Sequence, residues 1–168
     1  MNLKNVNESY PTKNILFTEG CQEGFNYEKL NYWPNAERYG NSMINDFNNG
    51  VVGWTDWNIL LDENGGPNHV QNFCFAPIHA NLKTGELIIT PTYYYIGHFS
   101  KFIRPGAKRL STSTSRSNIE STSFKNKNGE TIVVVLNKTN DSINYKLIVD
   151  NKQTFISIPP RAIQTLIY

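Results

Sequence analysis

A chain of 168 residues and 19.2 kDa has room for one large domain or two small ones. Sixteen Lys and Arg against fourteen Asp and Glu leave a formal charge of +2. No basic run is long enough for a nucleic-acid or membrane surface, and the longest apolar runs are strand-sized, too short for a transmembrane helix. Hydrophobic content of 39% and aromatic content of 12% suffice for a packed core. After Met1, Asn2-Leu3-Lys4-Asn5 lacks the apolar region of a secretory leader, and the residues leave the compartment open. Cys21 and Cys74 have only each other to pair with. Their spacing points to no metal, so buried free thiols are the expectation, and no cofactor is implied.

Taken in order, residues 2–13 are polar and read as the tail of a helix and a turn. Ile15 to Phe17 is a short apolar strand, with Glu19-Gly20 at its C-terminal end. Cys21 to Asn35 reads as an irregular, aromatic-rich loop. Tyr39, Met43, Ile44 and Phe47 fall at helical spacing and predict a helix from about Ala36 to Phe47, closed by Gly50. Val51-Val52-Gly53 follows as a buried strand. Strand, helix and strand in about forty residues make one βαβ unit, which implies parallel pairing.

From Trp54 to Asn58 the chain turns polar and aromatic, and Glu63-Asn64-Gly65-Gly66-Pro67-Asn68 breaks either periodicity, so it is loop. An apolar strand that ends in Asp and two Trp before a Gly-rich loop is how barrel enzymes present a site, although core packing explains the Trp residues equally well. Phe73 to Ile89 reads as loop with a short strand pair around Lys83-Thr84-Gly85. Thr90-Pro91 predicts a helix start, and Arg104-Pro105-Gly106 its end. His98 on that helix is expected to be packed and hydrogen-bonded rather than a ligand; His69 and His79 fall in loops with no partner spacing. From Ala107 on, six β segments are predicted, at 107–114, 119–126, 131–137, 142–149, 153–158 and 163–167. Their regular spacing implies an antiparallel sandwich, with the Ser/Thr-rich run 111–117 as an exposed strand.

VVGWTDWN followed by GGPN and Val70-Gln71-Asn72-Phe73 resembles glycoside hydrolase family 30, in its glucosylceramidase-like branch. Ile15-Leu16-Phe17-Thr18-Glu19-Gly20-Cys21 is similar to that family's strand seven. Ile96-Gly97-His98-Phe99-Ser100-Lys101-Phe102-Ile103 resembles its last barrel helix, and Thr131-Ile132-Val133-Val134-Val135-Leu136-Asn137 a strand of its side domain. The resemblance runs in order from about Asn14 to Tyr168. It implies the C-terminal part of a (β/α)8 barrel, about strands seven and eight with their helices, over residues 1–104. An antiparallel β-sandwich over 105–168 completes the expected architecture.

The resemblance further implies a retaining glycosidase, in which one carboxylate attacks the sugar and a second carboxyl serves as acid and then base. Glu19 matches the nucleophile; without the flanking match it would read as a surface Glu beside a Gly turn. Trp57 matches an aromatic of the sugar pocket, whose indole face packs on a pyranose, while Trp54 is the better core candidate. Asn72 matches a polar pocket residue, Phe73 lies beside it in the pocket wall, and Asp56 either binds sugar or orients its neighbours. The loop from Gln22 to Trp33 differs from the family pattern, which leaves the aglycone open. The implied substrate is a β-glycoside of the glucosylceramide or β-glucan type.

The family's acid/base is the Glu of an Asn-Glu pair ending strand four. The one such pair here is Asn7-Glu8, and only ten residues separate Glu8 from Glu19, with no room for two intervening strands and helices. A whole barrel takes roughly 250 residues. The expectation is therefore a C-terminal portion that is inactive alone and needs a polypeptide supplying strands one to six. The alternative is a noncatalytic carbohydrate-binding or structural β-sandwich module, and a decayed remnant is a third reading.

Overall fold

The computed structural model describes residues 3–168. They form two compact units, one ending at Gly97 and the other running from His98 to Tyr168. In the first, a short helix α1 (Leu3–Ser9) precedes strand β1 (Ile15–Phe17) and the two-residue strand β2 (Gln22–Glu23). Helix α2 (Trp33–Asn48) then leads into strand β3 (Val51–Trp54), which pairs with β1 in parallel. This is the expected βαβ connection.

The helix buries Ala36, Tyr39, Gly40, Met43 and Ile44, a stripe at intervals of three and four residues. It starts three residues earlier than the apolar spacing suggests. Pro34 lies in its first turn, where the missing N–H costs nothing. Its end is set by Gly50, whose φ of +99° lies in the left-handed region that glycine adopts freely. A Cβ there would also come within 2.7 Å of the Asn7 side chain.

The stretch from Cys21 to Asn35 is more ordered than an irregular loop. It contains β2 and a single 3₁₀ turn at Tyr27–Lys29, capped by Asn26, whose Oδ1 accepts from the Glu28 N–H at 2.9 Å. Downstream lie β4 (Leu60–Asp62), β5 (Cys74–Phe75), β6 (Ile78–Ala80) and β7 (Leu87–Ile89). The expected strand pair around Gly85 is the β6–β7 hairpin, with Asn81 Oδ1 accepting from the Lys83 and Thr84 amides in its turn. The parallel β4–β6 pair and the antiparallel β2–β5 pair correct the loop reading of 73–80. Strands of two or three residues are too short to carry a period.

Helix α3 (Pro91–Ser100) begins directly after Thr90, as expected. The buried Thr90 hydroxyl lies within donating distance of the Ala76 and Pro77 carbonyls, 3.1 and 3.0 Å away. The helix stops at Ser100 rather than at Arg104. The buried Asn126 amide holds the chain beyond it, donating to Phe102 O at 2.9 Å and accepting from the Arg104 N–H at 3.1 Å.

The second unit contains six strands, β8 (Lys108–Leu110), β9 (Ile119–Lys125), β10 (Thr131–Asn137), β11 (Ile143–Val149), β12 (Lys152–Ile158) and β13 (Ala162–Ile167). One antiparallel sheet has the order β13-β10-β9-β8, and β11 with β12 makes a second. Ile119, Val133, Val135, Ile143 and Ile158 form the core between them, with Tyr145, Leu147 and Leu166 packed alongside. Each such aliphatic side chain contributes about 1.5–3 kcal/mol. The Ser/Thr-rich run 111–117 is loop, not strand. The Thr112 hydroxyl donates to Leu110 O and meets the Ser123 hydroxyl, a local bonding pattern that competes with the ladder after Leu110. His98 is packed and bonded as expected: its Nδ1 lies 2.9 Å from the Thr165 hydroxyl, and burial lowers its pKa.

Asn137 has no exposed surface, and its bonds leave none of its amide free. Nδ2 donates to the Asp141 and Pro159 carbonyls, each at 2.8 Å, and Oδ1 accepts from Thr139 N and Oγ1. In Asn137→Asp an oxygen would face two carbonyl oxygens in the interior. Urea unfolding of this variant is expected to show a loss of about 2–4 kcal/mol; an unchanged midpoint would contradict the packing described.

Candidate active site

The site is built at the C-terminal ends of the two parallel strands. The β1–β3 register places Leu16 opposite Gly53 and Phe17 opposite Trp54. The two chains stay bonded beyond it: the Thr55 N–H donates to Phe17 O at 2.9 Å and the Trp57 N–H to Gly20 O at 2.8 Å. Glu19 is thereby set on an exposed turn after β1, with Asp56 and Trp57 on the adjoining segment after β3. Gly20 has a steric reason to be glycine. A Cβ there would sit 2.8 Å from the Phe17 ring and 3.2 Å from the Trp54 indole. Those two rings stack at 4.6 Å with an interplanar angle of 5°.

Trp54 is half-buried, as Trp57 is. Tyr39 meets Trp54 edge-on at 5.6 Å, and the Trp54 Nε1–H donates to Asp46 Oδ2 at 3.0 Å. Trp57 rests with Cys21 against Leu61, Cys74 and Ala76. Asp56 accepts a hydrogen bond at Oδ1 from the Tyr39 hydroxyl at 3.0 Å, while its Oδ2 is buried without a hydrogen-bond partner. Burial raises the Asp56 pKa to about 6, against the opposing effects of the Tyr39 hydroxyl and the Trp57 amide. Burial, reinforced by the Asp56 charge, pushes the Tyr39 phenol well above its ordinary range, so it remains a donor.

Asn72 and Phe73 are exposed and reach the same region through β2. Asn72 Nδ2 donates to Glu23 Oε1 at 3.2 Å, and the Phe25 N–H donates to Phe73 O at 3.2 Å. The Phe73 ring lies over Gly66, where a Cβ would come within 3.1 Å of it. The Gly-Gly loop is itself pinned, with Asp62 Oδ1 accepting from the Asn64 and Gly66 amides and the Cys74 N–H donating to Gly65 O at 3.0 Å. His79, wholly buried, closes the back. Its Nε2 accepts from the Ala76 N–H at 2.9 Å, which leaves Nδ1–H to donate to Asp62 O at 2.8 Å. Burial lowers its pKa, against the opposing effect of the Asp62 carbonyl.

Sequence reasoning singled out Glu19, Asp56, Trp57, Asn72 and Phe73. It passed over three supports: Tyr39, which reads as one more core position of its helix; Glu23, the partner of Asn72; and His79. Asp56 sits beside a helix whose apolar face carries a Tyr, and that conjunction was the available signal for the first.

A parallel βαβ unit with its polar residues at the strand ends, followed by an antiparallel sandwich, defines a protein of the barrel-plus-sandwich class. Residues 1–103 match the glycosyl hydrolase family 30 TIM-barrel domain and residues 106–166 the glycosyl hydrolase family 30 beta sandwich domain. The chain belongs to glycosyl hydrolase family 30 and comprises the C-terminal portion of its barrel together with its sandwich. A Caenorhabditis elegans protein named as a candidate glucosylceramidase, number 3, is 38% identical over 165 residues, covering 95% of this chain and 31% of its own length. The lysosomal acid glucosylceramidase of Mus musculus is 33% identical over 138 residues, 80% of this chain and 27% of its own. SrfJ from Salmonella typhimurium superposes with a TM-score of 0.94 at 31% identity, over 99% of this chain and 37% of SrfJ. The chain thus spans about a third of the length of the relatives it matches.

Two substitutions test this geometry. Gly65 has a φ of +80°, and an added Cβ would lie 2.6 Å from the Cys74 carbonyl oxygen and from the Phe25 ring. Gly65→Ala should destabilise the chain by about 2–4 kcal/mol in urea unfolding, since strain and backbone overlap add; a loss below 1 kcal/mol would contradict the packing described. The raised Asp56 pKa means that ionising this carboxyl costs stability above about pH 6 and that the cost is relieved as pH falls toward about 4. Asp56→Asn removes that cost. The melting temperature of the variant relative to the parent should be higher near pH 7.5 than near pH 4. An equal difference at both would contradict the burial assigned to Asp56.

Proposed function

We propose that the chain carries the catalytic nucleophile and part of the sugar pocket of a retaining β-glycosidase of the glucosylceramidase-like kind. The observation that carries this reading is the exposed carboxylate of Glu19 at the end of β1, hydrogen-bonded turn to turn with the segment bearing Asp56 and Trp57. A nucleophile for a glycosidic carbon must be ionised, accessible and rigidly presented, and a strand end supplies the last two. Glu19 attacks the anomeric carbon as the leaving oxygen takes a proton from a second carboxyl. Water then releases the glycosyl group from Glu19, with that second group now acting as base.

Trp57 offers an indole face to the apolar side of the pyranose, Asn72 an amide to a sugar hydroxyl, and Phe73 a wall beside it. Asp56, held by Tyr39, positions the Trp57 segment. The second carboxyl is proposed to come from outside these 168 residues. Glu8, of the one Asn-Glu pair, lies within α1 rather than at a strand end, and its Oε1 is 3.9 Å from Lys4 Nζ. A polypeptide supplying the remaining barrel strands is the partner this reading needs. Leu16 and Val52, on the two parallel strands, are 60% and 61% exposed, apolar surface that such strands would cover. The mouse relative, a lysosomal acid glucosylceramidase, favours a β-glucoside with a lipid aglycone among the substrates the family match allows.

Hydrolysis of an aryl β-glucoside tests the proposal. The chain alone should show none, and co-expression with a polypeptide carrying the missing strands and an Asn-Glu pair should produce it. Glu19→Gln should then lower the rate at least a thousandfold, about 4 kcal/mol of transition-state stabilisation. Full activity of that variant would overturn the assignment.

A further inference from the structure

Cys21 and Cys74 are 53 residues apart in the chain, yet their sulfurs lie 3.2 Å from one another as free thiols. Two elements bring them together. Cys21 follows the Glu19-Gly20 turn, whose carbonyl at Gly20 is held by the Trp57 amide. Cys74 opens β5, and its neighbour Phe75 pairs with Gln22, the residue after Cys21. A disulfide bond is about 2.05 Å long, so closure requires the sulfurs to approach by only about 1 Å. The two thiols differ in access. Cys74 has no exposed surface, while Cys21 is partly exposed beside Trp57.

We propose that Cys21 and Cys74 form a reversible disulfide site, oxidised by a small-molecule disulfide that enters at Cys21, and that the bond ties the turn after Glu19 to β5. The Cys21 thiolate attacks one sulfur of the small disulfide, forming a mixed disulfide and expelling one small thiolate. Cys74 then gives up its proton and attacks the Cys21 sulfur, expelling the second small thiolate. The two cysteines are oxidised by two electrons, and the small disulfide is reduced to two thiols. Burial and the neighbouring Cys21 thiol push the Cys74 pKa up to about 12, which makes Cys74 a poor first attacker. Once Cys21 is in the mixed disulfide its thiol no longer opposes ionisation of Cys74, and the second attack is intramolecular. This site does not depend on the glycosidase assignment, because none of its chemistry involves a glycoside.

The test is to incubate the folded chain with oxidised glutathione, alkylate and unfold it, and map its peptides without reduction. The expected result is loss of both thiols, a cross-linked peptide pair containing Cys21 and Cys74, a higher melting temperature, and restoration of both thiols by dithiothreitol. Cys74→Ser should stop at a stable glutathione adduct on Cys21, and Cys21→Ser should remain unmodified. A stable adduct on Cys21 in the parent chain, a cross-link between two chains, or two thiols left intact would each overturn the proposal. If a serine variant fails to fold, the parent chain's peptide map still decides.

Discussion

The arrangement at the site depends on the parallel pairing of β1 with β3. Parallel strands joined through a helix place their C-terminal ends side by side, and in this chain those ends carry Glu19 on one strand and Asp56 and Trp57 on the other. The pairing outlasts the strands, because the amides of Thr55 and Trp57 donate to Phe17 and Gly20. Small residues permit this closeness. A Cβ on Gly53 would lie 2.9 Å from Leu16, and one on Gly20 would strike the ring stack that locks the two strands together. A side chain on Gly20 would have to displace these rings, whereas one on Gly53 would meet only the exposed end of Leu16.

The carboxylates around this turn stand in different environments. Glu19 is exposed. Asp56 is half-buried, with one oxygen on the Tyr39 hydroxyl and the other buried without a hydrogen-bond partner, and burial raises its proton affinity. Its Tyr39 bond joins α2 to the segment after β3. The helix that makes the parallel connection possible therefore also supports the polar end of the strand it delivers.

Much of the fold was legible from residue spacing. The stripe Tyr39, Met43, Ile44 is a helix face, Gly50 is a helix end, and the segments from 119 to 167 recur at the regular spacing of strands. What was not legible are the features whose partners lie far away in sequence. Strands β2 and β5 have two residues each, and only their pairing across fifty residues makes them strands. The Ser/Thr-rich run after Leu110 alternates as an exposed strand would, but its hydroxyls bond locally and the ladder stops. Among the proposed site residues, Glu19 and Trp57 stood out only through their flanking words, since an exposed Glu by a glycine and a half-buried Trp are ordinary by themselves. The approach of Cys21 to Cys74 was invisible for the same reason: a count of two cysteines says what they can pair with, not whether the fold brings them together.

A fluorinated glucoside with a dinitrophenyl leaving group tests most directly whether Glu19 is a nucleophile, because so good a leaving group needs no acid and the fluorine slows release of the glycosyl group. With the remaining barrel strands present, peptide mapping should find one glycosyl group per chain, on Glu19, and none in Glu19→Gln. Labelling at another carboxylate, or none while the assembled protein hydrolyses an ordinary glucoside, would contradict the account.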